Sequence, residues 1–366
     1  MNQKPTPPTS SMEPARTVLV TGFEPFGTHA TNISQRVVER LEHELTLVSP
    51  WDERSIVVHV ETNVLTLDEV GARATAKQIE KGHRWDAILH LGLCESCDVP
   101  RIERLAQDQL DMRIPDNQGR QVHQTQLDGQ GHRGCWLDLT LWDAERFPVP
   151  FVVSSDAGTY LCNETYHCTM KAACELPLTD PVPPPVLFLH LPGESISSVE
   201  QGVEMVKACL AYMVDPYPVH PQHVVAAALS TTEGQVLVTQ RAASEADANL
   251  WEFPGGKCES DEPWSVALER ELQEELQVDV RARHPLGSWY RKVGNAAFVI
   301  HLIHAPLVGV PPAMSMSVHQ AMRWVNPNTS PKLAWAGRDG EMLSYLQTVF
   351  TPTSSTRRPS PSSDRR

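Results

Sequence analysis

The stretch LWEFPGGKCESDEPWSVALERELQEELQV, residues 250–278, closes on three carboxylates, Glu271, Glu274 and Glu275, set within about two turns of expected helix. Like charges three or four positions apart on a helix repel, by roughly a few tenths of a kcal/mol per exposed pair. The crowding therefore works against the helix that carries it. A solvated acidic face is one account. A hard cation is the other, because magnesium takes oxygen ligands and turns repulsion into shared attraction. Leu268, Leu272 and Leu276 repeat at a spacing of four and can pack the helix down, leaving the acids on a neighbouring face.

The residues upstream decide between the two accounts. Their order is Gly256, five residues, Glu262, seven residues, Arg270, Glu271, Leu272, one residue, Glu274, Glu275, one residue, Gln277, Val278. This order resembles the Nudix box at every signature position except Gln277, where that family usually has glycine. A glycine just past a helix serves a left-handed backbone, so the exchange reads as a local structural cost and not as a missing catalytic group. The resemblance implies a Nudix α/β/α sandwich in which Glu271, Glu274, Glu275 and the carbonyl of Gly255 hold Mg2+, with Mn2+ as the alternative. Arg270 would orient the acids, and Glu271 would help deprotonate the attacking water.

The likeness extends to VVAAALSTTEGQVLVTQRAASEADANLWEFPGGK, from Val224, which is similar to the opening of the MutT branch. That branch cleaves nucleoside triphosphates to monophosphates and pyrophosphate. It makes Arg241 a candidate phosphate or sugar contact and Phe253 a candidate base-stacking residue, although Phe253 reads equally well as core. Two later segments depart from the pattern. SVHQAMRWV offers His319 and Gln320 where relatives often carry an acid, and LAWAGRD lacks a clear base-reading Asn or Asp at the usual point. The nucleotide is left open, with 8-oxo-dGTP diphosphatases among the models.

At 366 residues the chain is too long for one typical domain, so two are expected. A hydrophobic share of 41% with 21% charged residues is that of a globular protein. No apolar run is long enough to span a membrane, and the polar start MNQKPTPPTSSMEP does not read as a signal peptide, so a cytoplasmic protein is expected. A net charge of -14 disfavours a long nucleic acid as partner but not a single nucleotide bridged by metal. The eight cysteines form no evident disulfide framework, and most are expected to be reduced. Cys94 and Cys97 make one CxxC, read as a loop beside a strand and not as a zinc site, for want of a second pair. Residues 1–16 and 351–366 read as disordered tails, and 214–223, with its prolines, as a linker between units at 17–213 and 224–350.

In the first unit, short apolar runs alternate with amphipathic ones: TVLVTGF, ISQRVVERLEHEL, SIVVHVE, VGARATAKQIEKG, DAILHLG, VPFVVSSD, VLFLHLPG and VEQGVEMVKACLAYM. This rhythm predicts an α/β domain with a mostly parallel sheet flanked by helices. Functional groups in such sheets gather at the carboxyl ends of strands. Cys162 lies there, at the expected start of a helix, with His190 and Glu103 as candidate base and orienting acid. A lone Cys or His at a strand end is more often core or loop.

The runs VLVTGFEPFG, ERLA, RIPDNQG, SSDAGTYLCN and FLHLP occur in the order of the pyroglutamyl peptidase I family, over about residues 17–213. The resemblance implies removal of N-terminal pyroglutamate by Glu103, Cys162 and His190 without a cofactor. It also implies that Phe23 and Phe26 sandwich the lactam ring, that Arg113 helps form the site, and that a homo-oligomer through this domain is allowed. Leu93 stands where the family commonly has a glutamine that contacts the lactam, and Asp108 replaces a usual Asn. The expectation is a bifunctional hydrolase acting on N-terminally blocked peptides and on nucleoside triphosphates. The alternative is a Nudix hydrolase governed by a peptidase-like domain that binds without efficient turnover.

Overall fold

The computed structural model describes residues 16–27, 30–175, 182–244, 246–307, 314, 316, 318–329 and 332–350. The two expected tails lie outside the described residues, except Arg16, which opens the first strand. Among the described residues no helix is long and apolar enough to cross a membrane.

The first half contains strands β1 (Arg16–Phe23), β2 (Glu44–Val48), β3 (Ser55–Leu65), β4 (Ala87–Cys94), β5 (Arg101–Glu103), β6 (Leu105–Ala106), β7 (Arg133–Gly134), β8 (Val152–Ser154) and β9 (Val186–Pro192). Between them come α1 (Ile33–Arg40), α2 (Glu69–Ala72), α3 (Ala74–Glu80) and α4 (Leu161–Cys174), and α5 (Val199–Val214) follows. Seven of the strands form one sheet in the order β2-β3-β1-β4-β9-β5-β8. Its centre is parallel, while β2 and the β9–β5 pair run antiparallel. Strand alternation sorts the core by face. Val18 and Val20 of β1 pack with α1 and α5, whereas Leu19 packs with α3 and α4.

The run ISQRVVERLEHEL, expected as one helix, splits. Helix α1 stops at Arg40, and Glu44–Val48 is the edge strand β2, because ELTLV buries Leu45 and Leu47 at a period of two. Cys94 and Cys97, read as a loop beside a strand, are joined as a disulfide at the end of β4, and the other six cysteines are free.

The second half contains β10 (Gln222–Ser230), β11 (Val236–Arg241), β12 (Trp251–Glu252), β13 (Gly255–Lys257), α6 (Trp264–Leu276), β14 (Pro285–Val293), β15 (Ala296–Pro306), β16 (His319–Val325) and α7 (Asp339–Phe350). The strands make a mixed sheet in the order β12-β11-β10-β15-β14, with β13 on β10 and β16 on β11. Val225, Ala227 and Leu229 of β10 share a cluster with α6, and Ala226 and Ala228 share another with α7. The sheet is thus sandwiched between the two helices. Leu268, Leu272 and Leu276 are fully buried, as their spacing predicts.

Gln277 caps α6 in the left-handed region, at φ 54° and ψ 39°. A side chain there costs roughly 1 kcal/mol that glycine avoids. Gln277→Gly is expected to raise unfolding free energy by about that amount, as read from urea denaturation.

The halves do not hang apart on the segment after α5. Tyr217 in that segment stacks on Tyr290 of β14, with ring centroids 5.6 Å apart. The stretch from Gln130 to Asp138 runs along β14: Arg283 Nη1 donates to the Gln130 carbonyl at 3.0 Å and His284 Nε2 contacts the His132 carbonyl at 2.7 Å. A Cβ on Gly134 would collide with the Leu286 carbonyl, so glycine alone permits this approach. Asp138 Oδ2 accepts from the Tyr290 amide at 2.8 Å and from Arg338 Nη1 at 2.7 Å. One buried apolar cluster continues through both halves.

Candidate active sites

Strand register builds the first site. His190 and Phe188 lie two apart on β9 and so share a face, and Glu103 of β5 pairs with Phe188. Glu103 is fully buried, and its Oε1 lies 2.9 Å from His190 Nδ1. A carboxylate only accepts, so Nδ1 carries the proton and Nε2 is left for Cys162. Burial alone would lower the His190 pKa, but its hydrogen bonds to Cys162 and Glu103 outweigh it and raise the ring to about 9. An imidazolium beside a thiol is the electrostatic arrangement that favours a thiolate.

Cys162 is the second residue of α4, whose N-cap Tyr160 makes no side-chain capping bond to the first-turn amides. A Cβ on Gly92 would lie 2.8 Å from the Phe188 ring and 3.0 Å from Cys162 Sγ, so glycine leaves room for both side chains. Two anchors escaped the sequence reading. Tyr166, one turn beyond Cys162, donates its buried hydroxyl to the Glu103 carbonyl at 2.8 Å. Asn163 grips Gln107 at both its amide and carbonyl and donates to Gln109 as well. The only local signal for either was the CN within SSDAGTYLCN.

Of the other candidates, Phe23 is buried in the α4-side core and Phe26 is half-buried against the same cluster. Arg113 is exposed on the loop after Met112. Leu93 is half-buried, facing Gly193. Asp108 has a structural role that Asn could not fill: its two oxygens accept the amides of Asp128, Gly129 and Gly131. Asp108, Asp128 and His167 converge closely enough to suggest a metal. Arg133 at 2.7 Å and Lys171 at 3.6 Å already neutralise Asp128, so the cluster is a self-contained clasp.

The second site centres on α6. Arg270 takes Glu262 bidentately, at 2.9 Å to each oxygen, and reaches Glu271 Oε1 at 2.9 Å. A Cβ on Gly256 would fall on the Glu271 carboxylate, and Gly255 adopts φ 148° against the Val225 carbonyl. The glycines therefore let the loop close on the acids. Burial holds the Glu275 carboxyl up at about 7, and the nearby Glu271 adds to it against the pull of His319. Such crowded carboxylate oxygens fit a divalent cation. Arg241 Nη1 donates to Glu252 at 2.7 Å. Phe253, only 4% exposed, stacks with Trp335 in the α7-side core.

Two family models match this chain: pyroglutamyl peptidase over residues 16–202 and the NUDIX domain over residues 220–346. The chain joins a pyroglutamyl peptidase to a NUDIX hydrolase domain. CTP pyrophosphohydrolase of Escherichia coli is 34% identical over 119 residues, 32% of this chain and 87% of the relative. Pyrrolidone-carboxylate peptidase of Bacillus licheniformis is 29% identical over 157 residues, 42% of this chain and 69% of the relative. The solved pyrrolidone carboxyl peptidase from Thermococcus litoralis aligns at 21% identity and a TM-score of 0.46, over 55% of this chain and 94% of that one.

The NUDIX domain holds one acid that the sequence reading did not single out. Asp339 opens α7, and its Oδ1 accepts the Phe253 amide at 2.7 Å. Burial pushes its carboxyl from the ordinary 3.8 up to about 7. The folded state therefore binds a proton that the unfolded state has lost between these values, so stability falls as pH rises through that window. Asp339→Asn keeps the acceptor and removes the charge. It is expected to be more stable than wild type by about 2–4 kcal/mol at pH 8 and equal to it near pH 4, as measured by denaturation at both pH values.

Proposed function

We propose that the peptidase domain removes N-terminal pyroglutamate from peptides, and that the NUDIX domain hydrolyses nucleoside triphosphates to monophosphate and pyrophosphate with Mg2+. The observation that carries the first activity is the 2.9 Å contact from Glu103 to His190, whose other nitrogen serves Cys162. Cys162 Sγ attacks the pyroglutamyl carbonyl carbon, the amides opening α4 take the oxyanion, and His190 passes the proton to the departing amine. Water then hydrolyses the thioester with His190 as base.

In the NUDIX domain, Glu271, Glu274, Glu275 and the Gly255 carbonyl would hold the cation, whose chemistry is to neutralise the polyphosphate and acidify a bound water. Arg270 orients Glu271, which accepts the proton of the attacking water. Arg241 would meet phosphate or sugar, and Phe253 with Trp335 would back the base.

Both activities are tested on the purified full chain. A fluorogenic pyroglutamyl amide should be turned over, and pyrophosphate should appear from a nucleotide panel headed by CTP, for which the Escherichia coli relative is named, and 8-oxo-dGTP. No product from either assay would defeat the corresponding half of the proposal.

One residue favours the reading of the peptidase domain as a binder with little turnover. Leu93, next to Gly92 at the end of β4, offers no polar atom to a lactam. A lactam amide left unpaired in a buried site loses discrimination. Leu93→Gln is expected to raise kcat/KM on the pyroglutamyl amide by about tenfold or more. An unchanged value would show that the ring is not read there.

A further inference from the structure

Arg120 and Glu164 each stand one residue beyond a run shared with the peptidase family, after RIPDNQG and after SSDAGTYLCN. The fold brings the two together. Arg120 Nη2 donates to Glu164 Oε2 at 2.6 Å, and Arg73 Nε donates to Oε1 of the same carboxylate at 3.0 Å. Glu164 is fully buried in the first turn of α4, two residues past Cys162. A buried ion pair is a poor source of stability, because desolvation offsets most of its attraction and apolar side chains of like volume often do as well. Position is what the pair supplies. The loop 111–122 closes on itself at its neck, where the Met112 amide donates to the Val122 carbonyl at 2.7 Å, so it can be held as one body. Three ties hold it. Asp111 and Thr159 exchange hydrogen bonds of 2.8 and 3.0 Å just ahead of α4. Asn117 Nδ2 donates to Glu24 Oε1 at 2.9 Å, next to Phe23 in the chain. Arg120 on Glu164 is the third, and Nη1 adds a longer contact to Oε1 at 3.3 Å, so the guanidinium engages both oxygens as a fork.

We infer that Arg120, acting through Glu164, is a positioning residue of the peptidase reaction: it sets the 111–122 loop, which carries Arg113, between the Phe23–Phe26 segment and the start of α4, and so shapes the lactam end of the site. The inference rests on the peptidase reading above. The Glu103–His190 contact is built on β5 and β9, not on this loop. Thiolate formation is therefore independent of the pair, and its loss falls on substrate binding, with KM raised and kcat held.

Steady-state kinetics of the full chain on a fluorogenic pyroglutamyl amide, with the free lactam 2-pyrrolidone as competitor, test this. Arg120→Met is expected to raise KM and the inhibition constant about tenfold or more, with kcat within about threefold of wild type. The pH profile of inactivation by iodoacetamide, which reads the Cys162 thiolate, should not move. Arg120→Met also takes one partner from a buried carboxylate and should lower the melting temperature. The double variant Arg120→Met, Glu164→Leu removes that stranded charge, while Arg73 keeps Glu69 at 2.9 Å. Its melting temperature should recover and its KM should stay high. Arg120→Lys, which keeps the charge without the fork, should fall between wild type and Arg120→Met in KM. A KM within about threefold of wild type in Arg120→Met, or one that recovers together with the melting temperature in the double variant, would overturn the positioning role and leave the peptidase reading standing. No turnover by wild type would defeat the peptidase reading, and the positioning role would fall with it.

Discussion

Cys162→Ala is expected to bring hydrolysis of a pyroglutamyl amide to background, a loss of about a million-fold in kcat, because removing the nucleophile disables the whole unit. Glu103→Gln should cost about ten-thousand-fold, since a carboxamide can present N–H to His190 and turn the ring to the wrong tautomer. The pH profile separates this loss from simple misfolding. His190, at about 9 in wild type, must be protonated to give its proton to the leaving amine, so activity should fall above that pH. Burial, which lowers His190, is opposed in part by Glu103. Without that carboxylate the alkaline limb should move to lower pH. A Glu103→Gln enzyme within tenfold of wild type, on an unshifted profile, would remove Glu103 from the relay.

Glu274→Gln is expected to reduce pyrophosphate release about a thousand-fold at saturating Mg2+, the equivalent of about 4 kcal/mol of transition-state stabilisation. Glu274 suits the test because its side chain is 62% exposed and its contact to Arg270 is a loose 3.6 Å. An ion pair this exposed contributes little to folding, so lost activity with an unchanged melting curve reports on the cation. Glu271→Gln is less clean, because it also breaks the 2.9 Å contact that anchors Arg270. Release that persists within threefold in Glu274→Gln would exclude that carboxylate from the ligand set.

Both sandwiched sheets were legible in the sequence because buried strands and helix faces keep their periods. Leu268, Leu272 and Leu276 announced α6, and the candidates Cys162, His190 and Glu103 stood in ordered motifs. What escaped depends on partners far away in the chain. Tyr166 looks like any helix aromatic until α4 packs over β5 and its hydroxyl meets the Glu103 carbonyl. Asp339, the last residue of LAWAGRD, reveals its contact with the Phe253 amide only once α7 is packed, a geometry no spacing rule carries. The helix expected through EHEL failed for a local reason. Five residues can satisfy both periods, and edge pairing of β2 on β3 decided the outcome.

The contact between Gly134 and Leu286, continued by Asp138 to Tyr290 and Arg338, has a thermodynamic corollary. Arg104, the neighbour of Glu103, lies 3.7 Å from the ring centre of Tyr345, so the two halves share structure up to the edge of one catalytic relay. A nucleotide that protects the C-terminal half against heat would then protect the peptidase as well, through mass action on one cooperative unit. A covalent blocker of Cys162 would return the favour. Excised at the connecting segment, each half would carry a raw apolar wound, and the fusion is better regarded as one enzyme body with two mouths.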